Sequence, residues 1–263
     1  MKDTISLKAH VHKKAVIGKG VTIDPFTVIE ANVKIGDGTT IGPNVHITGY
    51  TDIGKNCQVH AGAVIGDFPQ DYNFKNKKSF TRIGDNNIIR ECVTIHRGTE
   101  EDSKTIVGNN NMFMAYSHVG HNCQVGDNIV MVNLVSLGGY VVVEKNVFIS
   151  AVVQVHQFCR IGKFAMIAPL SKVGKDIPPF LLAEGSTVAK VRGLNVVGLR
   201  RGGFSSQDRE MIKKAYKTVY HSNLNVTQAM DYIKNDHELM NNSFIKEFVE
   251  FILAAKRGIA GHI

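Results

Sequence analysis

The chain has 263 residues, 43% of them hydrophobic, enough to bury a sizeable core. Its formal charge of +8 favours an anionic partner, such as a phosphorylated substrate, a membrane surface or an acidic protein. It carries no long Lys/Arg run and no Lys/Arg-Gly-Phe RNA motif, which argues against nucleic acid, and no apolar window reaches a membrane-spanning length.

Met1–His10 has no apolar signal core, so a cytoplasmic location is expected. From Ile5 the chain repeats every six residues. The first run is Ile5, Val11, Ile17, Ile23, Ile29, Ile35, Ile41, Ile47, Ile53, Val59 and Ile65, and Ile83, Ile89 and Ile95 resume it in phase. A third run passes from Val107 through Phe113, Val119, Val125, Met131, Leu137, Val143, Ile149, Val155, Ile161 and Ile167 to Val173. A 3.6-residue period cannot keep such positions on one helical face, whereas a strict hexad marks a parallel β-helix. Each hexad supplies one short strand and one corner. Three hexads close a triangular coil of eighteen residues, coils stack about 4.8 Å apart, and the run gives roughly nine to ten of them.

Gly often follows the large residue, as at Gly18, Gly36, Gly42, Gly54, Gly84, Gly108, Gly120 and Gly138, where it is expected to permit corner dihedrals that a Cβ would penalise. Four residues after the large one sits a small or β-branched slot: Ala15, Val21, Thr27, Val33, Thr39, Val45. Cys57, Cys123 and Cys159 occupy that slot and read as small core residues. Cys92 does not, and no C-x-x-C pair suggests a metal or redox site. Asp71, Lys77 and Glu101 interrupt the hexads without shifting their phase, so two loops near 67–81 and 97–105 are expected to leave the prism. Loops on a rigid scaffold are where binding residues gather.

The hexads stop after Val173 and Ile177-Pro178-Pro179-Phe180 punctuates the change. The expected organisation is a β-helix over residues 1–180, then a connector and a small α-helical domain over 181–263. Leu181–Gly203 reads as a mixed connector. A helix is expected near Gln207, capped by Ser205 or Ser206, with a short one after Val226 and a third through Phe244–Ile252 closing near Gly258.

Among eleven histidines, His60, His96, His118, His121 and His156 fall in or near hexad corners. Residues eighteen apart stack in one column, which sets His121, Gly139 and Gln157 one above another. A His beside an open Gly backbone N–H can serve as a general base with an oxyanion donor, and an acceptor's own hydroxyl can then attack without a catalytic Ser or Cys. A zinc site of the γ-class carbonic anhydrase kind would need a His-x4-His pair, and that spacing from His118 reaches Cys123, so no metal is expected.

The strings Gly66-x-x-Pro69-Gln70-Asp71, Arg90-Glu91-x-Val93-Thr94-Ile95-His96-Arg97-Gly98-Thr99, His118-x-x-His121, His156-Gln157-Phe158-Cys159, Asp176-x-Pro178-Pro179 and Gly193-Leu194-Asn195-Val196-Val197-Gly198-Leu199-Arg200-Arg201 span nearly the whole chain. In these the chain resembles the UDP-N-acetylglucosamine O-acyltransferases, the hexapeptide-repeat enzymes that start lipid A synthesis. The resemblance implies a left-handed coil and a homotrimer with active sites between subunits. It also implies transfer of a (R)-3-hydroxyacyl chain from acyl carrier protein to the 3-hydroxyl of UDP-N-acetylglucosamine, with no cofactor beyond the carrier thioester. It further implies His121 as general base and the Gly139 N–H as oxyanion donor. Gln70, Asp71 and His118 would position the sugar. His96, His156, Gln157, Asn195 and Arg200 or Arg201 would line the nucleotide and phosphopantetheine path, where the guanidinium fork suits diphosphate. A basic surface suits the acidic carrier protein.

The chain departs from that family at four positions. Asn122 stands where an Asp commonly follows the base, Asn73 replaces a Lys, Tyr140 replaces a His, and Pro169 stands at the acyl pocket, hinting at a shorter chain. An Asn oxygen can still set the His tautomer but cannot stabilise the imidazolium by charge. Alternatives are a hexapeptide acyltransferase using a 3-amino UDP-sugar, a weakly active paralogue, or a non-catalytic scaffold. The N-acyltransferase later in the pathway carries a uridine-binding domain before its hexads, which here begin at Ile5.

Overall fold

The computed structural model describes residues 4–263. The hexads form a left-handed parallel β-helix whose strands, mostly two residues long, alternate among three sheets of eleven, nine and eight strands. Register confirms the coil length: Thr4 pairs with Thr22, Val28 with His46 and Gln124 with Val142, each eighteen residues on. The two interruptions are whole hexads. Tyr50 pairs with Phe80 and Val64 with Thr94, thirty apart, which absorbs a loop of two hexads. Phe80 pairs with Lys104 and Thr94 with His118, twenty-four apart, which absorbs a loop of one. Ile106 and Gln124 restore the eighteen-residue spacing.

The large position points inward and is buried from Ile23 onward, with Ile29, Ile47, Ile65, Ile95, Phe113 and Leu137 fully enclosed. Ile5, in the first described coil, is 43% exposed. The slot four residues later is buried too, and its polar members have a task. Thr27 Oγ1 donates to Gly42 O (2.6 Å) and Thr39 Oγ1 to Gly54 O (2.8 Å), satisfying corner carbonyls that the ladder leaves unpaired. Cys57 and Cys123 do the same with their thiols, toward Gly84 O and Gly138 O. Burial pushes the Cys123 thiol up to about 12 and that of Cys159 up to about 11, so both stay protonated and inert.

The glycine after the large residue has a different cause from the one expected. Of these glycines only Gly66 has positive φ. Gly36 is needed because a Cβ there would lie 2.6 Å from the backbone of Gly54 in the next coil, and one on Gly120 would lie 2.6 Å from Leu137 O. The left-handed corner falls two residues further on, at Asn44, Asn56, Asn86, Asn110, Asn122, Asn128 and Asn146, all near φ 55–60°. Asn tolerates αL better than most residues because its short side chain bonds locally. Cys92, Tyr116, Tyr140 and Phe158 occupy the same corner position, which explains why Cys92 lies outside the inward slot.

Beyond Val173 the expected connector is partly β-structure. Leu181–Glu184 joins the first sheet and pairs antiparallel with Lys190–Leu194. Helices α1 (Val196–Arg201), α2 (Ser206–Tyr220), α3 (Val226–Asn235), α4 (His237–Asn241) and α5 (Ser243–Leu253) follow. Ser205, not Ser206, caps α2 in a reciprocal box with Asp208, and Asn225 does so for α3 with Gln228. The last helix ends at Leu253, short of Gly258, and the tail beyond it bridges back, with Ile259 beside Asp176 and His262 beside Val191. Phe164, Phe180, Phe204 and Phe244 interlock where the helices cover the last coil, and Lys163 lies over the Phe180 and Phe244 rings in an ion pair with Glu247.

Replacing Gly36 by Ala should therefore cost about 1–3 kcal/mol of stability through forced separation of two coils. Asn146→Gly, at a left-handed corner, should change stability by far less. Denaturant unfolding of both variants checks the contrast, and equal losses would contradict the packing account.

Candidate active site

The second sheet brings the sequence-predicted residues together. Its strands Thr94–His96, His118–Val119, Ser136–Leu137, Gln154–Val155 and Lys172–Val173 are consecutive neighbours. His118 pairs with Ser136, Ser136 with Gln154 and Gln154 with Lys172, so their outward side chains form a column. Three residues after each of the first three, at the corner, stand His121, Gly139 and Gln157. A cavity of about 460 Å³ runs along these columns, lined by Gln70, His96, His118, His121, Gly139, His156 and Gln157 among others.

His121 and Gly139 touch. A Cβ on Gly139 would overlap the His121 ring at Cε1 and Nε2, so only Gly leaves room for the imidazole. Gly139 N–H has no hydrogen-bond acceptor among the described residues, while its carbonyl accepts from Phe158 N–H (3.0 Å). The tautomer of His121 follows from its neighbours. Thr99 N–H, necessarily a donor, lies 3.0 Å from the Asn122 side chain, so the amide atom facing it is oxygen. The same Oδ1 lies 3.1 Å from His121 Nδ1, which must then donate. In the neutral ring Nε2, beside Gly139, then carries the lone pair a base requires.

Two further histidines are held neutral. His118 Nδ1 lies 2.7 Å from Thr94 Oγ1, and the His118 ring meets His96 edge-on at 4.9 Å. Burial pushes His118 down to about 4, with His96 and His121 adding to the effect. Burial also lowers His96, against the pull of Asp67, and His96 Nδ1 has no partner among the described residues. His156 is exposed, and its Nδ1–H donates to Gln157 O (3.0 Å).

The longer loop reaches the cavity through Gln70. Asp71 lines no part of the cavity; its Oδ1 accepts from Asn73 N–H (2.9 Å), closing a turn that presents Gln70. Arg97, 8% exposed, pins this loop by stacking over Phe68 at 4.3 Å. Asn195, Arg200 and Arg201 lie outside the cavity. Asn195 is buried and caps α1, its Oδ1 accepting from Gly198 N–H (3.0 Å) and its Nδ2 donating to Phe164 O (2.9 Å). Arg200 lines a separate basic cleft with Arg192, Arg209, Lys213 and Lys217. Sequence reasoning missed Thr94, Ser136, Gln154 and Lys172. The eighteen-residue column through His118 could have found the last three. Among the described residues no group of three or more His, Cys, Asp or Glu side chains is arranged to hold a metal ion.

A left-handed β-helix with an unprotonated imidazole nitrogen set against an open Gly backbone defines a hexapeptide-repeat acyltransferase. The hexapeptide model of bacterial transferases matches residues 14–49 and 35–67, and the model described as Udp N-acetylglucosamine O-acyltransferase, domain 2, matches 176–260. The acyl-[acyl-carrier-protein]--UDP-N-acetylglucosamine O-acyltransferase of Thermodesulfovibrio yellowstonii is 45% identical over 258 residues, 98% of this chain and 99% of that protein. The crystal structure of Francisella novicida UDP-N-acetylglucosamine acyltransferase superposes with a TM-score of 0.94 at 42% identity, covering 98% of this chain and 94% of that one. The enzyme of Bacteroides fragilis gives 0.93 at 42% identity, covering 97% of this chain and 98% of its own. The chain belongs to the UDP-N-acetylglucosamine O-acyltransferase family.

The depressed His118 has a measurable consequence. Unfolded, its imidazole takes up a proton near 6.5; folded, only near 4. Its contribution is therefore fully present above pH 6.5 and is lost as pH falls to about 4, on the order of 3 kcal/mol. His96 shifts in the same direction. Unfolding curves between about pH 7 and pH 4 should show this slope, and His118→Gln should flatten part of it. An unchanged slope would rule His118 out.

Proposed function

We propose that the protein transfers a (R)-3-hydroxyacyl chain from acyl carrier protein to the 3-hydroxyl of UDP-N-acetylglucosamine, the first step of lipid A biosynthesis. The observation that carries this reading is the His121–Gly139 contact inside the cavity, with Nδ1 of the base committed to Asn122. His121 Nε2 removes the proton of the sugar hydroxyl as its oxygen attacks the thioester carbonyl. The tetrahedral oxyanion accepts from Gly139 N–H. Collapse breaks the carbon–sulfur bond, and the departing thiolate takes the proton back from His121. No cofactor beyond the carrier thioester enters these steps.

Gln70 and the neutral His118 position the sugar, while His96, His156 and Gln157 line the path of nucleotide and pantetheine. Asp71 acts by shaping the turn behind Gln70. The active assembly is a homotrimer. In support, the cavity lies open along the second sheet, and the corner between the first and second sheets exposes Tyr116, Leu134, Val152 and Leu170 on four successive coils in an apolar ridge. A neighbouring subunit packed there brings Arg200 and Arg201 toward the substrate diphosphate, with Asn195 holding the helix that carries them. The acidic carrier protein docks on the basic surface. The protein works in the cytoplasm; among the described residues no helix is long and apolar enough to cross a membrane.

The test is incubation with UDP-N-acetylglucosamine or its 3-amino analogue and a panel of 3-hydroxyacyl carrier proteins, read by mass. Wild type should form one acylated sugar nucleotide, and His121→Ala should lower kcat by about a hundredfold or more with the trimer intact. Gly139→Ala should lose turnover by displacing the imidazole. Full activity of His121→Ala would remove the base assignment.

A further inference from the structure

A neutral amide beside a catalytic imidazole poses a problem that a carboxylate does not. A carboxylate offers oxygen on both sides. An amide turned over would present its NH2 to His121, force Nδ1 to accept, and leave the proton on Nε2, where it blocks the base. We propose that Thr99 and Tyr140 are positioning residues that lock the Asn122 amide in its productive orientation. The proposal rests on His121 being the base.

Two donors of Thr99 converge on Asn122 Oδ1, its N–H at 3.0 Å and its Oγ1 at 2.9 Å. Tyr140 OH lies 3.0 Å from Thr99 Oγ1. With the Thr99 hydroxyl proton directed at Asn122, Tyr140 donates to Thr99, and the chain of donors runs one way toward Oδ1. Flipping the amide would set its NH2 against a backbone N–H that cannot reverse. Each member is itself fixed. Asn122 sits at a left-handed corner, φ 59°, with its N–H bonded to Thr105 Oγ1 at 2.8 Å. Tyr140 is at the next corner up, stacked on Phe158 at 5.0 Å and edge-on to His121 at 5.3 Å. Thr99 lies in the shorter loop, beside Gly98, whose N–H donates to Phe80 O. The inserted hexad thereby carries the residue that orients the base. His96, His118, Tyr140 and Asn122 neighbour His121, burial disfavours a charge on His96 and His118, and the orientation of the Asn122 amide sets the tautomer.

The test compares Thr99→Val, Thr99→Ser and Tyr140→Phe in the wild-type and Asn122→Asp backgrounds. In the wild-type background, Thr99→Val, which leaves the Thr99 N–H as the one remaining Thr99 donor to Oδ1, should lower kcat several-fold at nearly unchanged KM, Thr99→Ser should restore most of it, and Tyr140→Phe should cost about twofold. In the Asn122→Asp background, Thr99→Val should cost little, because a carboxylate has no wrong face. Nitrogen NMR shifts of the His121 ring, which need no turnover, should show protonated Nδ1 in wild type and mixed tautomers in Thr99→Val. Equal losses in both backgrounds, or an unchanged His121 spectrum in Thr99→Val, would overturn the lock. Absence of acyl transfer by wild type with a protonated Nδ1 would instead count against the reaction and leave the lock standing.

Discussion

The constraint on which everything else depends is the distance between coils. Neighbouring turns of the prism lie so close at their corners that main chain faces main chain, as where Gly36 meets Gly54 and Gly120 meets Leu137. Two rules follow from that spacing. Where main chain faces main chain in this way the residue at the closest approach must lack a side chain, and the residue two further on must accept a left-handed backbone to turn the corner. Interior aliphatic residues supply the burial, but they act along a frame these backbone contacts have already set. Because the frame has a fixed pitch, it can tolerate insertions only as whole hexads, and both loops obey this.

The site is an application of the same frame. His121 and Gly139 meet because eighteen residues return the chain to the same corner one coil higher. The contact is held by two ladders of main-chain hydrogen bonds rather than by a flexible loop, which favours the fixed geometry that a base and an oxyanion donor need. Burial holds His118 and His96 neutral, and Asn122 adds no charge where a carboxylate would.

The repeat makes most of this legible. The phase of the hexads yields coil length, loop positions and the column of His121, Gly139 and Gln157, because one periodicity controls all three. It misassigns the reason for the glycines, since a sequence cannot distinguish a residue chosen for φ from one chosen for space. The hairpin at Leu181–Leu194 reads as connector because a strand of four or five residues closing an end carries no period to detect. Thr99 is invisible for a related reason. It lies on the inserted loop, outside the column arithmetic, and only the folded chain shows that it reaches Asn122. Arg200 and Arg201 enter by resemblance alone, and within one chain Arg200 faces a different cleft.

The column of corner residues Asn122, Tyr140 and Phe158 also implies how this chain can change over generations. In most folds the residues that constrain one another are scattered through the sequence without a simple rule. Here a substitution at one corner is felt first by the positions eighteen before and eighteen after it, with twenty-four or thirty replacing eighteen across the loops. Compensating changes should therefore recur at those intervals. A histidine traded for a tyrosine at one corner would be tolerated only with matching adjustments above and below it, so the history of the site is written as a spacing as much as a set of residues.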